Sequence, residues 1–156
     1  MNNFRLFALI LSSVFMLMGH YSISQEEIQY DSTLAKKLGA DEYGMKSYSM
    51  VILKTGTQKA SNDIERDSLF SGHLKNITQL SEEGKLIVAG PLGENELGYR
   101  GIFILTITDT NEAKSVLSTD PAIKAGLLDY DIFPWYGSAA LPKYLETHER
   151  IQKTKF

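Results

Sequence analysis

Residues 64–91 read IERDSLFSGHLKNITQLSEEGKLIVAGP, a helical pattern that runs directly into a strand. Leu69, Phe70, Leu74, Ile77 and Leu80 recur at intervals of three and four, the period of an amphipathic helix over residues 64–83, and Gly84 stops it. Leu86, Ile87, Val88 and Ala89 then form an apolar, partly β-branched run closed by Gly90 and Pro91, the texture of a buried strand.

Working outward, Tyr48-Ser49-Met50-Val51-Ile52-Leu53 reads as an earlier strand closed by Gly56, and Ser61, Asn62 and Asp63 form the turn into the helix. Downstream, Gly93, Asn95 and Gly98 make a turn into a third strand over residues 99–108, long enough for an antiparallel pair. Asp109 or Thr110 caps a second helix through Ala113, Val116 and Leu117. Asp120-Pro121 opens a short helical turn that ends at Ala125-Gly126, and residues 127–135 alternate as a last strand. The order β-α-β-β-α-β over roughly 90 residues predicts an α+β, ferredoxin-like domain: an antiparallel sheet with both helices on one face.

The chain has 156 residues, 43% of them hydrophobic, which suits one domain with a core. Its 16 Lys and Arg stand against 19 Asp and Glu without a basic run, which argues against nucleic-acid binding, where phosphate neutralisation dominates affinity. The absence of Cys excludes disulfides, thiolate catalysis, Cys-based zinc sites and a lipidated N-terminal cysteine.

Four segments follow from the composition. Residues 1–24 read as a signal peptide: Asn2, Asn3 and Arg5 make a polar, positive start, and the apolar run of residues 6–18 is too short for a spanning helix, which needs roughly 20 residues. An uncleaved anchor is the alternative. Cleavage after Ser24 leaves Gln25 first, discards His20, takes the formal charge from −3 to −4, and is expected to leave an exported, periplasmic or secreted protein without a membrane anchor. Residues 25–44 are a polar lead-in with one helical turn near residues 34–38, residues 45–136 the domain, and residues 137–156 an added C-terminal helix with Leu141, Tyr144, Leu145 and Ile151 as its apolar contacts.

In residues 85–89 and 102–105 both faces of the strands are hydrophobic, so the face opposite the helices needs a cover. A second copy of the chain, sheet packed on sheet, is the expected partner.

His73 stands on or beside the apolar helix stripe, three after Phe70 and four before Ile77. It reads either as a hydrogen-bonded core histidine or as a proton-transfer group, since imidazoles exchange protons between roughly pH 5 and 8. Arg66, seven residues earlier, binds an anionic group or merely covers the stripe with its alkyl stem. Asp120 is placed as an N-cap before Pro121; a carboxylate there also suits the N–H of His73. Trp135 closes the core or walls a pocket, and His148 lies in a charged, solvated tail segment. No metalloprotease, nucleophile-elbow, phosphate-loop or dinucleotide motif is present.

Taken together, Ser71-Gly72-His73, the Glu83-Gly84-Lys85-Leu86 turn into Ala89-Gly90-Pro91-Leu92, Tyr99-Arg100-Gly101, Asp120-Pro121 followed by Lys124-Ala125-Gly126-Leu127, and Pro134-Trp135 resemble the YCII-related family from about Tyr48 to Trp135. The resemblance implies a dimeric α/β-barrel of ferredoxin-like protomers, with His73 and Asp120 at the positions of the family's active-site pair. It implies dehydrochlorinase-like elimination or isomerisation of a small molecule, chemistry that suits a His–Asp pair with no metal or cofactor. On the residues' own chemistry, Arg66 or Arg100 are candidates to hold the developing oxyanion, and Trp135 is a candidate substrate contact. A non-catalytic ligand-binding protein and a cofactor-free oxygenase are the competing readings.

Overall fold

The computed structural model describes residues 29–154. The segment read as a signal peptide therefore lies outside the described residues, as does His20. Of the described residues, 31–154 cluster as one compact unit.

A short helix, α1 (Ser32–Leu38), is capped by the Asp31 side chain and leads into β1 (Met45–Thr55). The long helix α2 (Asp63–Glu82) starts where the Asn62 side chain accepts the Glu65 N–H. It ends at Glu83 because Gly84 adopts φ +68°, a left-handed conformation that closes helices and that glycine takes without strain. The hairpin strands are β2 (Leu86–Pro91) and β3 (Tyr99–Leu105). The third strand is shorter than the periodicity predicted, ending at Leu105, although Ile107 beyond it is still buried. Helices α3 (Thr110–Leu117) and α4 (Pro121–Lys124) carry the chain to β4 (Leu128–Ser138). A 3-10 turn (Leu141–Lys143) and α5 (Tyr144–Ile151) follow.

The sheet order is β2-β3-β1-β4, with every neighbouring pair antiparallel. This is a ferredoxin-like α+β fold. The central strand β1 pairs with β4 from Met45↔Ser138 to Thr55↔Leu128, and with β3 through Val51↔Phe103. Because side chains alternate along a strand, this register sorts the sheet into two faces. Val51, Leu53, Phe103, Leu105 and Leu128 lie under the helices, with Leu80, Ala113, Leu117 and Ala122 completing that core.

Tyr48, Ile87 and Ile104 are buried on the opposite face, and the structure answers part of the question of what covers them. Leu141 and Leu145 of the chain's own C-terminal segment pack there, beside Trp135, Met50 and Val88. The Tyr144 hydroxyl donates to the Ile87 carbonyl on the edge strand. Burial pushes the Tyr48 hydroxyl above its ordinary range, and it donates to the Ser138 carbonyl at 2.8 Å. Ile151, expected as an apolar contact of this tail, is 75% exposed: the helix turns its last residue away from the sheet.

Candidate active site

His73 sits midway along α2 and Asp120 at the start of α4, 47 residues apart in sequence. A glycine and a proline bring them together. A Cβ on Gly72 would lie 2.8 Å from Pro121 Cγ, so only glycine at this position lets α4 press against α2. A second tie lies alongside, where Asn76 Nδ2 donates to Thr119 Oγ1 at 2.8 Å. Each member of the pair is thus next in sequence to a residue that makes the helix–helix contact.

The result is a buried hydrogen bond between His73 Nδ1 and Asp120 Oδ2 at 2.6 Å. Asp120 is 1% exposed, and its other oxygen accepts the backbone N–H groups of Ala122 at 2.9 Å and Ile123 at 3.3 Å. With Oδ1 capping the helix as an acceptor, the carboxylate is arranged to accept at Oδ2 as well, which puts the ring proton of neutral His73 on Nδ1. Nε2 has no protein partner among the described residues, and it is not among the sealed, unsatisfied polar atoms, so it borders open space.

That space is a cavity of about 400 Å³ between α2 and the sheet. Leu53, Phe70, Leu74, Ile77 and Phe103 make its walls mostly apolar, and His73, Thr78 and Arg100 interrupt them with polar side chains. The imidazole lies between two rings: Phe70 meets it edge-on, with centroids 6.1 Å apart, and Phe103 is stacked at 6.0 Å. Helix α2 therefore does not pack flush on the sheet. Of its residues only His73 and Leu80 are buried, and Leu74, predicted to face the core, lines the cavity and is 43% exposed.

The other candidates separate. Arg100, on β3, lines this cavity and also a neighbouring polar cleft of about 530 Å³. Arg66 lines only the cleft, with its guanidinium donating to Asp63 at 2.8 Å and Asp67 at 3.2 Å. Trp135, proposed beside the substrate, lies across the sheet from His73. It pairs with Tyr48 in register, the two rings tilted with centroids 5.6 Å apart, because its parity along β4 is that of the tail-covered face. His148 is exposed on α5 beside Tyr144. Among the described residues no group of three or more His, Asp and Glu side chains converges as metal ligands. Phe70 and Phe103 were legible only as apolar residues; no local signal marked them as the rings around an imidazole.

A family model for the YCII-related domain matches residues 49–136, more than half of the chain. The chain belongs to the YCII-related domain family. The matched span holds β2 and β3 whole, most of β1 and β4, and both His73 and Asp120. Among solved structures, 5-chloro-2-hydroxyhydroquinone dehydrochlorinase from Burkholderia phenoliruptrix AC1100, in complex with 2,5-dihydroxybenzoquinone, is similar to this YCII-related chain. The identity is 21%, over 56% of this chain and 92% of that one, with a TM-score of 0.41. No curated protein matches the chain.

Proposed function

We propose that the protein is a small-molecule lyase or isomerase in which His73 is the general base and Asp120 its positioning partner. The observation that carries this reading is the buried 2.6 Å bond on Nδ1, which leaves Nε2 directed to an apolar cavity of small-molecule size. Neutral His73 takes a proton from a C–H or O–H made acidic by an adjacent carbonyl or aromatic ring. The freed electron pair forms a new π bond. In an elimination, the leaving group departs with the electrons of its own bond; in an isomerisation, the imidazolium returns the proton to a different carbon. Asp120 stabilises the imidazolium while it lasts, and the stacked face of Phe103 favours its charge.

Proton abstraction is detectable without a known product, as deuterium exchange from D2O into enolisable or phenolic ring compounds. A base in this position contributes on the order of 10²–10⁴ in rate, so His73→Ala and His73→Gln are expected to lose exchange by that factor while their thermal unfolding stays cooperative. Exchange that survives in either folded variant removes the base role. Saturable binding without exchange in the parent protein assigns the cavity to ligand binding alone.

We also propose that two copies pack sheet on sheet. Phe133 is 44% exposed, and Ile52 and Ile102 on the same face of the sheet are only half-buried and lie outside the cluster that Leu141 and Leu145 join, so a strip of apolar surface remains there. Sedimentation at micromolar concentration should return a dimer; a monomer overturns this arrangement.

A further inference from the structure

The β1–β3 ladder is interrupted beside the cavity. Leu53 pairs with Gly101 and Lys54 with Tyr99, so Arg100 is an extra residue on β3 with no partner on β1. Strict alternation from Ile104 and Ile102 would send Arg100 to the tail-covered face. The bulge resets the count. Tyr99, opposite Lys54, takes the tail-covered parity, and Arg100 is turned to the helix side with Gly101. Re-aiming one side chain next to a site is what such insertions do. The bulged residue remains anchored, since its carbonyl accepts the Leu92 N–H at 2.9 Å.

Two consequences meet at this position. Arg100 lines both the His73 cavity and the polar cleft, which adjoin through Phe70, Leu128 and Arg100 itself. It also enters no ion pair among the described residues, whereas Arg66 in the same cleft is held by Asp63 and Asp67. A guanidinium without a carboxylate therefore stands where an apolar cavity opens to water, and its planar donors suit the two oxygens of a carboxylate or a single oxyanion.

We propose that Arg100 selects anions for the His73 cavity, so that the substrate is a small molecule whose apolar body fills the cavity and whose acidic oxygen rests on Arg100. This rests on the reading of His73 as the reacting end of the cavity. The acidic oxygen belongs to a carboxylate or to a phenolate, and the probes below separate the two.

The test is binding to the full chain, read as shifts of the His73 imidazole resonances on titration with benzoate, 4-nitrophenolate and the neutral isostere benzamide. At least one anion should move those resonances and bind about tenfold more tightly than benzamide, the margin of one charge-assisted contact. A response confined to benzoate assigns a carboxylate, and one confined to 4-nitrophenolate a phenolate. Arg100→Gln should abolish the preference while leaving benzamide unaffected, and Arg100→Lys, which keeps the charge without the fork, should retain part of it. Equal binding of anions and benzamide, a preference unchanged in both variants, or no response to either anion overturns the proposal. Turnover is not read, so the outcome is distinct from that of the base: His73→Ala that keeps exchange removes the base and leaves the anion preference of Arg100 standing.

Discussion

On the helix side of the sheet, Val51, Leu53, Phe103 and Leu105 lie beneath α2, α3 and α4, whereas on the other side the cover of Tyr48, Ile87 and Ile104 among the described residues comes from Leu141, Tyr144 and Leu145 of one short segment. The same strands supply both sets through alternate residues, so the contrast comes from the covers. The helical cover is the larger, yet it stands off the sheet around His73 and leaves a cavity of about 400 Å³. Unfilled volume costs stability, which makes the closely packed part of that face the support of the site. The tail cover stops short, leaving Phe133 exposed.

Three substitutions sharpen this contrast. Leu105→Ala, at a residue with 0% exposure in the helix-side core, should lower unfolding free energy by about 3 kcal/mol in denaturant titrations. A loss below about 1 kcal/mol would mean that the support is not there. Leu145→Ala, at a half-buried residue of the tail cover, should cost only about 1 kcal/mol and leave the His73 cavity unchanged in ligand titrations. An equal cost at the two sites would erase the difference between the covers.

The smallest effect is expected at the exposed pair Asp41 and Tyr136, which ties the lead-in to the end of β4. The Tyr136 hydroxyl, followed by the Met45 N–H, holds the Asp41 carboxyl below its ordinary range, with desolvation opposing both. A depressed carboxyl contributes stability above its unfolded-state pKa, and that contribution is lost as the pH falls through the folded-state value. Tyr136→Phe should therefore lower the unfolding midpoint slightly at neutral pH, with the gap closing on acidification below the normal aspartate range. A gap that widens in acid contradicts this assignment.

The element order was legible because its signals are local: three-and-four spacing in α2, the Asn62, Asp109 and Asp120 caps, and apolar runs between turn residues. His73 and Asp120 could each be singled out by residue type and position, but each also had an ordinary structural reading. Their meeting depends on Gly72 against Pro121, a contact between distant segments that no periodicity encodes. Trp135 shows the same limit from the other direction, since its parity relative to His73 is set by the β1–β4 register rather than by the chain around it. The tail was expected to be helical, but its seat on the second face emerged only with the folded chain.

By itself, the sequence determined the succession of strands and helices, the caps that start them and the short inventory of chemically useful side chains, because neighbours within a few residues decide backbone conformation. Tertiary structure alone decided that His73 bonds Asp120 and not water, that a bulge turns Arg100 toward the cavity and that Trp135 lies behind the sheet. Those outcomes depend on register and on helix-to-helix approach, where a shift of one residue or one methyl group redirects a side chain to the opposite face or holds two helices apart.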